Sequence, residues 1–181
     1  INILKSDYFV IRDQSARRTL GGGYVLDPFP PARGRAKPHR IKFLHAMDES
    51  KPINALCSLI ENNKNGVDLI LFNRAWNITN EDSELILQTI EHKIEETAGK
   101  KTIFSPEHWD SIILEIVAKL KDWHKENPDR ASLGLHAIRN LLAVKPSVTI
   151  LENITNEMIS EQILLGVGSG FAVPGFSPEL S

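Results

Sequence analysis

Trp109, Ile112, Ile113, Ile116, Val117, Leu120 and Trp123 recur at offsets 0, 3, 4, 7, 8, 11 and 14. A helix of 3.6 residues per turn gathers all seven on one stripe, whereas a strand would send Ile112 and Ile113 to opposite faces. The stretch must be a long amphipathic helix, and its apolar stripe needs a partner. Its limits are legible too. Ser105 is a good N-cap, Pro106 suits the first helical position, Glu107 complements the positive end of the dipole, and Asn127-Pro128 ends the helix. The partner surfaces follow in the chain. Leu135, Ile138, Leu141 and Leu142 form one helical set, and Val148, Leu151, Ile154 and Met158 another. Ile163–Leu165, a Gly-rich turn over 166–170 and Phe171–Val173 then read as a hairpin.

The same order precedes this unit. Ile41, Leu44 and Met47 share a helical face, and after Pro52 the set Ile53, Leu56, Leu59 and Ile60 repeats the period until Gly66 breaks it. Val67 to Trp76 reads as a short helix with Leu69, Phe72 and Trp76. Thr79, with Asp82 three residues on, caps another carrying Leu85, Ile86 and Ile90. Lys93 to Phe104 reads as a hairpin turning at Ala98-Gly99-Lys100. Helices followed by a hairpin, twice over, give a tandem winged helix-turn-helix pattern. The copies share shape and not letters.

The first 40 residues differ in kind. Asp7–Asp13 alternates as a strand, and Arg18–Leu26 is a second strand interrupted by Gly21, Gly22 and Gly23, a triplet suited to a bulge or to close backbone approach. Two strands cannot bury a core, so they read as the edge of a larger sheet, and a chain starting at Ile1 fits an internal piece of a longer protein. Residues 28–38 form a Pro/Arg linker in which Pro30 and Pro31 favour an extended path and Arg33, Arg35 and Lys37 hold it open by repulsion. The expected divisions are 1–27 for the strands, 28–38 for the linker, 39–104 for the first helical unit and 105–181 for the second. The fold class is mainly α with small β.

Charge divides at the same place. Residues 1–40 hold eight basic side chains against three acidic, a net of +5, while the remaining 13 basic and 20 acidic groups leave −7 on residues 41–181. A segment facing nucleic acid and a solvated linker both account for this asymmetry. The cations concerned are Arg17, Arg18, Arg33, Arg35, Lys37 and Arg40. No run approaches the roughly 20 apolar residues that span a bilayer, and the first residues lack the order of a signal peptide. The single cysteine, Cys57, lies in a helical apolar pattern and reads as a small buried hydrophobe. A reducing compartment, the cytoplasm, is its simplest home.

Motifs for chemistry fail on inspection. Gly99-Lys100-Lys101-Thr102 has the look of a P-loop tail, yet Ile94 stands where the first glycine belongs and Lys101 where the magnesium-holding hydroxyl belongs. Asn63-Lys64-Asn65-Gly66 lacks the aspartate that would bond a guanine. His39, His45, His92, His108, His124 and His136 show no zinc-type spacing. No catalytic residue, metal or cofactor is expected. A winged helix grips nucleic acid through its third helix and wing, which needs Lys or Arg. Here the third helices carry Glu81, Asp82 and Glu84 in one unit and Glu152, Glu157 and Glu161 in the other, although Lys93, Lys100 and Lys101 mark the first wing. Those faces suit spacers or protein contacts. A DNA-binding winged-helix transcriptional regulator is the alternative reading, and it requires basic third helices. A hydrolase would require a polar constellation that is not found.

Residues 8–25 resemble the closing strands of the third domain in the elongation factor Tu superfamily, where an Ile-Arg, a short turn, an Arg-Thr and a glycine-rich strand recur in order. The run Ile11-Arg-Asp-x-Ser-Ala-Arg17, followed by Pro30-Pro-x-Arg-Gly-x-x-Lys-Pro38 and helical modules, is similar to the selenocysteine-specific elongation factors of the SelB family. The resemblance implies a parent GTPase that uses GTP and magnesium, carries selenocysteinyl-tRNA to the ribosome and grips a selenocysteine-insertion hairpin in mRNA. It implies that this segment lacks the GTPase domain and the hairpin-reading module, and acts as a connecting arm in the cytoplasm with no membrane partner. It is specific mainly over residues 7–38.

Overall fold

A computed structural model describes residues 3–97 and 99–178. It is mainly α with small β: seven helices and three small antiparallel sheets among the described residues. Ala98 of the expected turn, and the outermost residues 1–2 and 179–181 of the expected divisions, lie outside the described residues.

The amino-terminal hairpin pairs β1 (Tyr8–Arg12) with β2 (Thr19–Tyr24). Ile11 faces Gly21 but Arg12 faces Thr19, so Leu20 is the extra residue of a bulge. The glycines earn their place one strand over. A Cβ on Gly22 would sit 2.7 Å from the Phe9 carbonyl oxygen, and one on Gly23 would press on the Phe9 ring at 3.1 Å. Tyr8, Val10, Ile11 and Leu20 are exposed, as expected of a sheet edge.

This hairpin is fastened to the first helical unit. The Lys5 N–H donates to Ala75 O at 3.0 Å, the Lys5 ammonium lies 3.7 Å from the Trp76 ring centroid, and the Tyr24 hydroxyl donates to Asp48 at 2.7 Å. Residues 28–38 are therefore not the open, extended tether expected from their composition. Asp27 and Arg40 clamp the two ends of the segment at 2.7 Å, Gly34 turns it with φ +78°, and Lys37 N donates to Gly34 O at 3.1 Å. One desolvated ion pair outweighs the repulsion among three solvated cations.

The first unit runs α1 (Pro38–Met47), α2 (Pro52–Asn62), β3 (Val67–Asp68), α3 (Leu69–Trp76), α4 (Asn80–Leu87), β4 (Lys93–Thr97) and β5 (Lys100–Phe104). Its sheet order is β3-β5-β4. The expected helix over Val67–Trp76 begins instead as a strand, because Val67 pairs with Ile103 and Asp68 then caps α3 by accepting from Leu71 N at 2.9 Å. Thr79 caps α4 through Asp82 N, as its spacing predicts. In α1 the expected face holds at Met47, buried, and Leu44, half-buried, but not at Ile41. Arg40 and Met47 face inward with Phe43 half-buried between them, and Ile41 is exposed, since the pull of Asp27 rotates Arg40 toward the core. In α4 the buried residues are Ser83 and Leu87, and Leu85 is exposed.

The second unit repeats the order found from α2 onward. It comprises α5 (Pro106–Glu126), β6 (Leu133–Gly134), α6 (Leu135–Leu141), α7 (Val148–Ser160), β7 (Leu165–Val167) and β8 (Gly170–Ala172), with sheet order β6-β8-β7. Trp109, Ile112, Ile116 and Leu120 of α5 are buried, with Ile113, Val117 and Trp123 partly so. Ile138, Leu142, Leu151, Ile154 and Met158 join that core, while Leu141 turns outward. The strands β3 and β6 are too short to leave a period in the sequence.

The two cores meet at β5. Side chains of a strand alternate between faces, so Ile103 enters the first core and its neighbour Phe104 enters the second, each fully buried. Phe104 meets Trp109 edge-on at 5.5 Å. Among the described residues three further bonds cross the junction: His108 Nδ1 to Ile60 O at 2.9 Å, Lys93 to Glu157 at 3.3 Å, and the Asn153 amide to the Glu95 carboxylate.

Candidate nucleic-acid interface

The hairpin turn is shaped by Asp13, whose carboxylate accepts from the Ser15 hydroxyl at 2.8 Å and from Arg17 N and Arg18 N at 2.9 and 3.2 Å. Those bonds hold its carboxyl below the usual carboxylate range, the Ser15 hydroxyl contributing most. With the backbone so tied, the side chains of Arg17 and Arg18 project into solvent.

Arg33, Arg35 and Lys37 project from the clamped loop, all three exposed, with Arg35 Nε donating to Pro31 O at 3.3 Å. Arg40 departs from the expected set. Its side chain is 11% exposed, paired with Asp27 and lying 4.8 Å from the Phe43 ring. A guanidinium neutralised inside the fold is not free for phosphate. The six expected residues thus resolve into a hairpin-tip pair, a loop trio and one internal clamp. Arg17 and Arg18 do not line the shallow hollow that the trio borders. Reading by residue type alone also misses Lys42 and Lys64, exposed beside the loop. A helical plot of α1 would have found Lys42, three residues beyond His39 and off the core face. Lys64 arrives only by tertiary folding.

The acidic helices have uses of their own. On α4, Glu81 and Glu84 are exposed, and Asp82 serves the cap. On α7, Glu157 receives Lys93, and the Asn153 amide donates to Glu95, so this helix leans on β4 of the first unit. Lys101 of the first hairpin is paired with Glu96 at 3.6 Å.

Candidates for other chemistry are scattered. Gly99-Lys100-Lys101-Thr102 occupies the β4–β5 hairpin, away from any strand-to-helix loop. Asn63-Lys64-Asn65-Gly66 closes α2 in a turn where Gly66 N donates to Asn63 O. Among the described residues no three His, Cys, Asp or Glu side chains converge as metal ligands. Cys57 is half-buried, where full burial was expected, and desolvation followed by the Glu61 carboxylate pushes its thiol pKa up. His124 is buried with neither ring nitrogen hydrogen-bonded, and desolvation lowers its pKa. Among the described residues no helix is long and apolar enough to cross a membrane.

Comparison with known proteins bears on this arrangement. Residues 1–32 match the family model of the β-barrel domain of selenocysteine-specific elongation factors. That match ends inside the clamped loop, five residues past the expected strand boundary at 27. The chain is 29% identical over 126 residues to the selenocysteine-specific elongation factor of Escherichia coli (strain K12). The aligned region is 68% of this chain and 20% of that protein, so the chain spans about a fifth of the length of the curated relative it matches. The chain is SelB-like.

Proposed function

We propose that this SelB-like chain is the connecting arm of a selenocysteine-specific translation elongation factor. Its two helical units are tandem winged helices, each with a short first strand paired to the last strand of its own wing. The arm is non-catalytic. GTP and magnesium belong to a GTPase body outside these residues, and selenocysteinyl-tRNA, the mRNA hairpin and the ribosome are partners of the whole factor in the cytoplasm. The observation that carries this reading is the division of Ile103 and Phe104 between two cores. A boundary that falls between adjacent residues of one strand leaves no slack. Such a junction transmits position between the ends of the chain.

The acidic third helices support an arm over a reader. Glu81, Asp82 and Glu84 on α4, and Glu152 and Glu157 on α7 with Glu161 at its C-cap, would repel a phosphate backbone. The similarity to an elongation factor and the charge of these helices both count against a DNA-binding regulator.

The test is to loosen the junction in a full-length factor carrying this segment. One variant inserts four Gly/Ser residues between Phe104 and Ser105; a milder one, Lys93→Ala with Asn153→Ala and Glu157→Ala, releases only the α7–β4 contact. Selenocysteine insertion should fall, steeply for the insertion and mildly for the triple variant, while GTP hydrolysis and tRNA binding by the free factor persist. Unchanged insertion in both variants would overturn the arm.

A further inference from the structure

The loop trio of cations does not stand alone. Beside it runs a groove of about 560 Å³ between the clamped loop, α1 and the end of α2. His39, Lys42, Asn62, Lys64 and Asn65 supply its polar lining, over a floor that includes Phe43 and Leu59. No carboxylate lines it, and the one buried cation, Arg40, is already neutralised by Asp27. Lys42 and Lys64 are exposed, as are Arg33, Arg35 and Lys37 on the adjoining loop, and among the described residues none of these five forms an ion pair.

Two unneutralised lysines in the groove, with three more cations on the loop that lends Pro31 to its wall, form a local positive field on a chain whose residues 41–181 carry −7. Neutral amides interleave with them, and amides bond phosphate and sugar oxygens without regard to base. What the groove lacks is equally telling. Its aromatic, Phe43, is half-buried and covered by Arg40, so no exposed ring offers a stacking platform. The chemistry is that of a backbone grip and not of a sequence reader. Val144, from the loop joining α6 to α7, also lines the groove, so its walls come from both helical units.

We infer that this groove binds the sugar-phosphate backbone of RNA independently of sequence, with Lys42 and Lys64 as its contacts and Arg33, Arg35 and Lys37 of the adjoining loop meeting the phosphates that run past it. The choice of RNA rests on the proposed role in translation. The groove itself rests on geometry and charge.

Fluorescence anisotropy of the 181-residue chain with a labelled 20-nucleotide single-stranded RNA, at potassium chloride from 50 to 200 mM, tests it. Five phosphate contacts on a single strand give a slope of log K against log salt of about −3.5, or roughly a 100-fold loss across that range. Lys42→Glu with Lys64→Glu should flatten the slope by about 1.4 and weaken binding at 50 mM at least tenfold, equally for unrelated sequences. The milder Lys42→Gln with Lys64→Gln should move both in the same direction, and unaltered helical circular dichroism and urea midpoint verify folding. Lys51→Glu with Lys125→Glu makes the same charge change outside the groove and should alter binding less than threefold. Wild-type binding by the groove pair, an equal loss in the outside pair, or no RNA binding by the wild-type chain at 50 mM would each overturn the inference. The arm is judged separately by the junction insertion, which reads decoding in the full-length factor and leaves all five cations in place.

Discussion

Replacing Arg40 by methionine isolates the clamp that closes the loop over 28–38. The Arg40 and Asp27 side chains are 11% and 6% exposed, and their charged atoms are 2.7 Å apart. Removing one partner of so buried a pair strands the other charge, which costs about 3–5 kcal/mol. Asp27 keeps one donor, Phe29 N at 2.8 Å, so the cost should fall at the lower end, about 3 kcal/mol. Loss of the guanidinium over Phe43 adds roughly 0.5–1 kcal/mol. With a urea slope of about 2 kcal/mol per molar, the combined loss should lower the unfolding midpoint by about 2 M. Asp27→Asn together with Arg40→Met should recover most of that loss, because no uncompensated charge remains. Urea titration followed by tryptophan fluorescence measures all the variants, Trp76 reporting on the unit to which the hairpin is fastened. A single-variant loss below about 0.5 kcal/mol, the usual value for a solvated pair, would show that the clamp does not hold the loop.

Three further outcomes are expected. Phe104→Ala should cost about 3–5 kcal/mol by urea titration, since the ring is fully buried against Trp109, and should raise amide exchange on both sides of the junction. Gly66→Ala should destabilise by about 1–3 kcal/mol: φ is +75°, and the new Cβ would meet Thr102 Cγ2 at 2.6 Å and the Phe104 ring at 2.8 Å. Burial lowers the pKa of His124, so the unfolded chain takes up a proton first as pH falls. Its stabilising contribution is therefore complete above the unfolded value near 6.5 and lost as pH drops through the folded value. The wild-type urea midpoint should decline from pH 7.5 to 5, and His124→Phe, keeping an aromatic ring stacked on Phe176, should flatten that decline.

Periodicity was legible wherever an element was long or capped. The α5 stripe, its Ser105 cap and the Thr79–Asp82 cap all fold as their spacing requires, because helix geometry is local and three to four residues carry the signal. Two-residue strands such as β3 and β6 carry no such signal and exist only because β5 and β8 lie alongside. The inward residue of the first turn of α1 was illegible for another reason. Apolar content favours Ile41 inward, but Arg40 is drawn in by Asp27, thirteen residues earlier in the chain. Of the candidate interface, the loop trio was plain from composition and Lys42 could be placed by a helical plot, whereas Lys64 joins Lys42 in one groove only through packing.

Local chemistry in the sequence determined the helices, the hairpins, the sign of charge on each segment and the resemblance over residues 7–38. Tertiary structure alone decided that the Pro/Arg segment is closed by a buried ion pair, that adjacent side chains of one strand serve two cores, and that scattered cations border one groove. The physical reason is range. Backbone geometry is settled within a few residues of chain, but burial, and with it the strength of an ion pair or the meaning of a free charge, depends on what the rest of the chain brings alongside.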